Sequence, residues 1–116
     1  MNKRFTQTHK IYLVKYKDIL FQPDTKITRN NTYNVKAFTE FNDAKKCLDG
    51  IISDKVDQLI SDYIFKRIDD DKISEERVPN DYGTILYERK IRLIGGKLGY
   101  NQTKTMILNI EEIEMQ

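Results

Sequence analysis

The spacing of apolar residues changes twice along this chain, and these changes limit the folds it can adopt. Residues 10–17 (KIYLVKYK) and 32–38 (TYNVKAF) alternate apolar and polar side chains, which is typical of strands. Residues 83–94 (GTILYERKIRLI) and 104–115 alternate in the same way. Between these pairs, apolar residues recur every three or four positions from Phe41 to Ile64, which predicts one face of a helix. The predicted order is therefore β-β-α-β-β.

The central helix has recognisable signals at its start and beyond its end. Thr39 is a suitable N-cap, and Glu40 places a carboxylate in the first turn, where the helix dipole favours it. Gly50 lies inside the helix, but the apolar stripe keeps its phase across it, so we expect one helix ending near Ile68. The polar residues 69–82 (DDDKISEERVPNDY) then predict a surface loop.

These elements predict a two-layer α+β fold. A four-stranded antiparallel sheet would pack against one long helix. The length of 116 residues suits a single domain spanning 1–116, in which residues 1–9 are expected to form a flexible basic arm. One edge strand of such a sheet could pair with a second copy of the chain to form a homodimer, although the sequence does not identify that strand.

The composition indicates in which cellular compartment we expect the protein. Cys47 is the single cysteine, so no internal disulfide can form, as is usual in a reducing environment. No apolar stretch approaches the roughly 18 residues of a membrane span, and we expect a cytoplasmic protein with no membrane partner. The preference for Lys over Arg, with many Ile, Asn and Tyr residues, is typical of the AT-rich genomes of low-GC bacteria and their phages.

Three of the five glycines fall in one short segment, Gly95-Gly96-Lys97-Leu98-Gly99. Phosphate-binding loops need glycines in another order, followed by a helix, whereas the residues after Gly99 predict a strand. A Gly-Gly pair between two alternating strands indicates a hairpin turn. The tip of this turn, with Lys97 and Tyr100, is a candidate contact for a macromolecular partner.

Charge is distributed unevenly along the chain. Residues 1–36 hold eight basic and two acidic residues, and residues 83–105 hold five basic and one acidic residue. Residues 37–82, with seven basic and twelve acidic residues, are acidic instead. The predicted strands before residue 106 are therefore basic, the predicted helix and loop are acidic, and the last residues, 106–116, carry a net charge of −3.

Strand alternation then predicts which side chains share a face of the sheet. The face toward the helix would carry Tyr33, Val35, Ile85, Tyr87, Met106 and Leu108. The opposite face would carry the basic and apolar residues Lys15, Lys17, Lys36, Lys90, Arg92, Phe38, Ile11, Leu13 and Ile107. Such a face can receive single-stranded nucleic acid, which stacks on apolar side chains, or another acidic partner.

One arrangement of residues has the pattern of an enzyme. Asp81, followed by Glu88-Arg89-Lys90, resembles the motif of restriction-endonuclease-like nucleases, an Asp and then Glu-x-Lys on the next strand. The resemblance implies Mg²⁺ bound by Asp81 and Glu88, with Lys90 assisting the attacking water. That family continues with further sheet and a helix after the motif, whereas this chain ends in a predicted strand.

We therefore expect a non-enzymatic binding protein. No cofactor-binding pattern is present, and the Cys and His ligands of a zinc site are missing. The leading interpretation is a stoichiometric inhibitor or modulator of a host protein or complex, such as a nucleic-acid-handling or anti-CRISPR-like defence complex. The alternatives are a nucleic-acid-binding module that uses the basic sheet face, and the metal-dependent nuclease.

Overall fold

The structure is a computed structural model, and it describes residues 9–22, 27–62, 65–75, 77–79, 83–95 and 102–115. One helix and six strands form the fold in these ranges. The helix α1 spans Phe41–Ser61. The strands are β1 His9–Gln22, β2 Ile27–Phe38, β3 Phe65–Ser74, β4 Val78–Pro79, β5 Thr84–Gly95 and β6 Gln102–Met115.

The strands form one antiparallel sheet in the order β2-β1-β6-β5-β3, and the short β4 also pairs with β5. β3 and β4 lie along the same edge of β5, because β3 pairs with residues 88–95 and β4 with Thr84 and Ile85. The outer edges of the sheet in the described part of the chain are therefore β2 on one side and β3 with β4 on the other.

The helix packs on one face of this sheet. Its buried residues Ala44, Leu48, Ile52 and Val56 follow the predicted apolar spacing, which confirms the stripe. They pack against sheet residues of one face; the buried core comprises these four together with Val14, Tyr16, Phe65, Tyr87, Ile91, Leu93, Met106, Leu108 and Ile110. We call this side of the sheet the helix face and the other side the open face.

The start of the helix differs slightly from the prediction. Its N-cap is Glu40 rather than Thr39, and the Glu40 side chain makes no capping hydrogen bond. The helix continues through Gly50, which confirms a single helix across that residue.

The predicted end of the helix and the predicted loop are wrong. α1 ends at Ser61, and the chain enters β3 at Phe65, before the expected end at Ile68. β3 and β4 then occupy much of the polar segment that predicted a loop. Ion pairs with neighbouring strand β5 accompany this: Asp69 Oδ2 lies 3.4 Å from Arg92 Nε, and Asp71 pairs with Arg89. Opposite charges on adjacent strands favour their pairing, and the backbone ladder between β3 and β5 does not require apolar alternation.

The predicted architecture of four strands against one long helix is consequently wrong. The four expected strands are present as β1, β2, β5 and β6, and they form the centre and one edge of a six-stranded sheet. The helix is shorter than predicted because β3 takes up residues that were assigned to its last turns.

Two bulges change which residues share a face. In β2, Lys36 lies opposite Val14 and Asn34 opposite Lys15, so Val35 is the extra residue of a bulge. In β5, a register shift lies between Ile85 and Tyr87. An inserted residue reverses the alternation of the strand beyond it, so a period of two carried across a bulge assigns later residues to the wrong face.

The glycine segment connects β5 to β6. Gly95 is the last residue of β5 and pairs with Gln102 at the start of β6, so the two strands form the antiparallel hairpin that the Gly-Gly pair predicts. Lys97 and Tyr100 lie outside the described residues.

Candidate nucleic-acid interface on the open face

The register of the strands places side chains in rows across the open face. Directly opposite residues in antiparallel strands lie on the same face of the sheet. One row runs from Lys17 on β1 through Ile107 on β6 and Lys90 on β5 to Lys72 on β3. The next row runs from Ile19 through Thr105 and Arg92 to Asp70.

These two rows and the following one form a shallow groove with a volume of about 640 Å³. Its floor combines apolar, hydroxyl and charged side chains. They are Ile19, Phe21, Asp70, Lys72, Lys90, Arg92, Thr103, Thr105 and Ile107. Phe21 remains 39% exposed, so its ring is accessible at one end of the groove.

Like charges face each other in this groove. Lys72 and Lys90 are direct register partners on adjacent strands, and both side chains are exposed. Like charges opposite each other destabilise a sheet. Among the described residues, neither Lys17 nor Lys90 forms an ion pair, so the row that contains them carries positive charge toward solvent.

Acidic residues of β3 border the groove. Asp69 Oδ2 lies 3.4 Å from the Nε of Arg92, and Asp70 Oδ2 lies 3.6 Å from the Nζ of Lys72. These pairs are partly exposed, and exposed pairs contribute little to stability. They hold Arg92 and Lys72 at the rim while Lys90 and Lys17 stay unpaired within the described part of the chain.

The far end of the open face contains an ion pair whose carboxylate is buried. The Nζ of Lys15 lies 2.7 Å from Oε2 of Glu111, whose side chain is completely buried. Lys15 is therefore not a free cation for a ligand. Its charge is already matched by a carboxylate on the neighbouring strand.

The structure brings some of the predicted binding residues together and separates others. Lys17, Lys90 and Arg92 lie on the open face around Ile107. Lys36 and Phe38 lie opposite Val14 and Tyr12, on the helix face, where the Nζ of Lys36 is 5.2 Å from the centre of the Phe38 ring. The predicted common face is wrong for Lys36 and Phe38 because the bulge at Val35 shifts the alternation.

The second bulge, in β5, changes the face on which Ile85 lies, a residue that was predicted to face the helix. Ile85 pairs with Glu111 and therefore lies on the open face, whereas Tyr87 pairs with Ile110 in the core. The other predicted helix-facing residues of β5 and β6, Tyr87, Met106 and Leu108, are buried under the helix.

The predicted nuclease residues are only partly described. Glu88 pairs with Asn109 and Lys90 with Ile107, so both lie on the open face of β5. Asp81 lies outside the described residues. Within the described ranges, no group of three or more His, Cys, Asp or Glu side chains is arranged to hold a metal ion.

Sequence reasoning missed several groove residues. Lys72 and Asp70 were assigned to a loop, and Thr103 lies just before the predicted start of β6. A signal was present in the chain: Ile19 and Phe21 continue the alternation of β1 past Lys17. The sequence allows the first strand to extend over residues 18–21, but neither Ile19 nor Phe21 was included among the candidate binding residues.

The helix face contains a separate polar cluster around Arg89. The hydroxyl of Tyr87 donates to Asp49 Oδ1 at 3.0 Å, and Arg89 Nη1 donates to the same oxygen at 3.3 Å. Arg89 also pairs with Asp71 on β3. Burial alone would lower the pKa of the Arg89 guanidinium, but the carboxylates of Asp71 and Asp49 raise it overall. The cluster therefore joins α1, β5 and β3.

Two phenols of the core are held in their neutral form. Burial, followed by the hydrogen bond to Asp49, raises the pKa of Tyr87 to about 12. Burial and the nearby charge of Asp18 raise the pKa of Tyr16 as well. Neither phenol faces the groove, so both belong to the packing of the helix on the sheet.

No family model, curated protein or solved structure matches this chain. In the part of the chain that the structure describes, no helix is long and apolar enough to cross a membrane.

Proposed function

We propose that this is a non-enzymatic binding protein of the cytoplasm, and that the groove on its open face binds single-stranded nucleic acid. The observation that carries the proposal is the row Lys17–Ile107–Lys90–Lys72, in which three exposed lysines surround one apolar side chain. Phosphates would relieve the repulsion between Lys72 and Lys90, because an anion lowers the cost of holding two cations together.

The remaining groove residues suit the other parts of a nucleotide. The exposed ring of Phe21 offers a surface on which a base can stack. The hydroxyls of Thr103 and Thr105 can donate to phosphate or sugar oxygens. A groove that is shallow and open suits flexible single strands better than a rigid duplex, which would touch only the rim.

The test is a fluorescence-anisotropy titration with short single-stranded DNA and RNA and with duplex DNA, at low and near-physiological salt. We expect single strands to bind more tightly, with affinity that falls steeply as salt rises. The variant Lys17→Glu/Lys90→Glu should lose binding. The matched control is Lys36→Glu/Lys46→Glu, which makes the same change of charge on the helix side of the protein.

The salt dependence gives a second readout. Each lysine–phosphate contact in a single-strand complex contributes roughly 0.7 to the slope of log affinity against log salt. Lys17→Gln/Lys90→Gln should therefore reduce that slope by roughly 1.4 if both lysines contact phosphate. Absence of binding at low salt, or equal loss in the helix-side control, would contradict the proposal.

A second candidate function is that of a stoichiometric modulator of a host protein. The observation that favours it is the mixed charge of the groove rim, where Asp69 and Asp70 accompany Arg92 and Lys72. Surfaces that carry both signs of charge suit a protein partner with a complementary pattern. The same titration separates the two, since a protein-specific surface would show no affinity for single strands.

The nuclease remains a weaker alternative proposal, which rests on Glu88 and Lys90 lying on one face of β5. Incubation of labelled DNA with the protein and Mg²⁺ or Mn²⁺ would test it. Cleavage that is lost in Glu88→Gln would support this alternative, and intact DNA under both metals would remove it.

A further inference from the structure

We propose that β2 pairs with β2 of a second copy of this chain, antiparallel and around a twofold axis at Asn31. This would join two sheets into one continuous sheet. The inference concerns an edge of the molecule and is independent of the nucleic-acid groove.

The two edges of the sheet differ in their protection. The β3 edge has register shifts between Phe65 and Arg67 and between Ile68 and Asp70. It also carries three consecutive aspartates, 69–71, and β4 ends at Pro79, which has no backbone N–H to donate. Bulges, charges and proline are the usual means of preventing an edge from pairing with another strand.

The β2 edge has fewer of these devices, namely one bulge at Val35 and the two charged residues Arg29 and Lys36. It is 12 residues long, with no proline and no acidic residue. All described side chains from Thr28 to Ala37 are exposed, and among the described residues no strand pairs with its outer edge. An edge of this length leaves a row of backbone donors and acceptors available for another strand.

The charge pattern of β2 selects a register for self-pairing. The register with β1 is regular from Thr28 to Asn34, and the bulge begins after that residue. With the axis at Asn31, Arg29 lies opposite the partner's Tyr33, in position for a cation–π contact that occurs twice by symmetry. An axis at Arg29 or at Lys36 would instead set that basic side chain against its own copy in the second chain, and this like-charge contact disfavours both alternatives.

The apolar surface beside this edge also favours a second β2 strand as the partner. Tyr33 is 52% exposed, and the centre of its ring lies 5.9 Å from that of Tyr16. Tyr33 and Val35 line a pocket of about 380 Å³ beside Ile51 of the helix. A second β2 strand would cover part of this exposed apolar surface from both sides of the axis.

The first test is the oligomeric state of the purified full chain without nucleic acid, measured by sedimentation equilibrium over a range of concentrations. We expect a dimer. Asn31→Lys places like charges against each other on the axis, and it should weaken the dimer about tenfold or more. Ile73→Lys adds the same charge to the exposed β3 edge and should leave the dimer unchanged. A monomer at all concentrations, or a dimer insensitive to Asn31→Lys, would overturn the proposal.

The second test measures the register directly. In a Cys47→Ser background, Asn31→Cys should form a disulfide-linked dimer under mild oxidation, because Cα atoms of directly opposite residues lie about 4.5–5.5 Å apart. Asn34→Cys is the matched control on the same strand. Its two copies would be separated by about 20 Å along the sheet and should not cross-link. Efficient cross-linking of the Asn34 variant instead would exclude the proposed axis.

Discussion

The Nζ of Lys15 lies 2.7 Å from Oε2 of Glu111, and this contact joins adjacent strands β1 and β6 on the open face. The Glu111 side chain is completely buried, and the Lys15 side chain is 24% exposed. A carboxylate in this position depends on its cation, since an isolated buried charge is very unfavourable.

Removing Lys15 should therefore lower the free energy of unfolding by much more than removing an exposed lysine would. We expect Lys15→Met to lower the free energy of unfolding by about 3 kcal/mol, because it leaves the Glu111 carboxylate buried with its main cation removed. Urea unfolding measures this change. Lys17→Met, two residues further along the same face, is the matched control and should change stability by less than about 0.5 kcal/mol.

The pair can be examined further with a double variant. Lys15→Met/Glu111→Leu should recover most of the stability that Lys15→Met loses, because no buried charge remains. Equal instability of the single and double variants would show that the loss does not arise from the buried carboxylate of Glu111.

Tyr87 should make the protein less stable in alkaline solution. The pKa of its phenol is raised to about 12 in the folded state, from 10.0 when exposed. The unfolded chain therefore loses this proton first, so stability is full below pH 10 and declines as the pH rises toward 12. The limiting slope for one phenol is about 1.4 kcal/mol per pH unit.

Tyr87→Phe tests this pH dependence. The variant should lose about 1 kcal/mol at neutral pH, because the hydrogen bond to Asp49 is gone, and its alkaline slope should be smaller than that of the wild type. Tyr16, whose pKa is also raised, should contribute to the slope that remains. Tyr33→Phe, at an exposed position, is the control, and an unchanged slope in Tyr87→Phe would contradict the assignment.

Gly83 is required where the chain enters β5. A Cβ atom at this position would overlap the carbonyl oxygen of Glu112, which belongs to the backbone of β6 and cannot rotate away. We expect Gly83→Ala to destabilise the fold by at least about 2 kcal/mol, on the order of other overpacked sites. The midpoint of thermal unfolding measures this effect, and a wild-type midpoint would show that the two strands can separate at little cost.

At Gly50, in contrast, we expect substitution by alanine to stabilise the fold. It lies inside α1, and apart from the backbone of the helix itself no atom lies within 4 Å of the place that a Cβ would take, so an alanine meets no obstacle. Gly50→Ala should raise the free energy of unfolding by about 0.5–1 kcal/mol, because alanine loses less backbone entropy in a helix. Urea unfolding of the variant beside Gly83→Ala tests both glycines under the same conditions.

The sequence alone predicted the elements whose apolar pattern is regular. The stripe Ala44–Leu48–Ile52–Val56 and the alternation of Met106, Leu108 and Ile110 both match buried residues. β3 was missed because it forms by pairing with β5, whose residues are distant in the sequence: Asp71, for example, pairs with Arg89. The residues next to Asp71 in the sequence give no indication of this partner.

The candidate site was predicted only in part, again because the local sequence does not show how the strands pair. Lys90 and Arg92 were placed beside Ile107 correctly, since no bulge separates them along β5. Lys36 was misplaced because the extra residue Val35 changes the phase of β2, and nothing in the local sequence marks that insertion. Lys72 could be added only once β3 was known to pair with β5.

Replacing Lys90 should change the stability of the fold and the affinity for single-stranded nucleic acid in opposite directions. It lies directly opposite Lys72, so Lys90→Glu replaces a repulsive cross-strand pair with an attractive one. We expect the free energy of unfolding to rise by about 0.2–1 kcal/mol, while affinity for single-stranded nucleic acid falls. Urea unfolding and anisotropy on the same preparation measure the two effects. A parallel loss of stability and affinity would mean that Lys90 supports the sheet, whereas opposite changes mean that the sheet tolerates repulsion at a position where an anion binds.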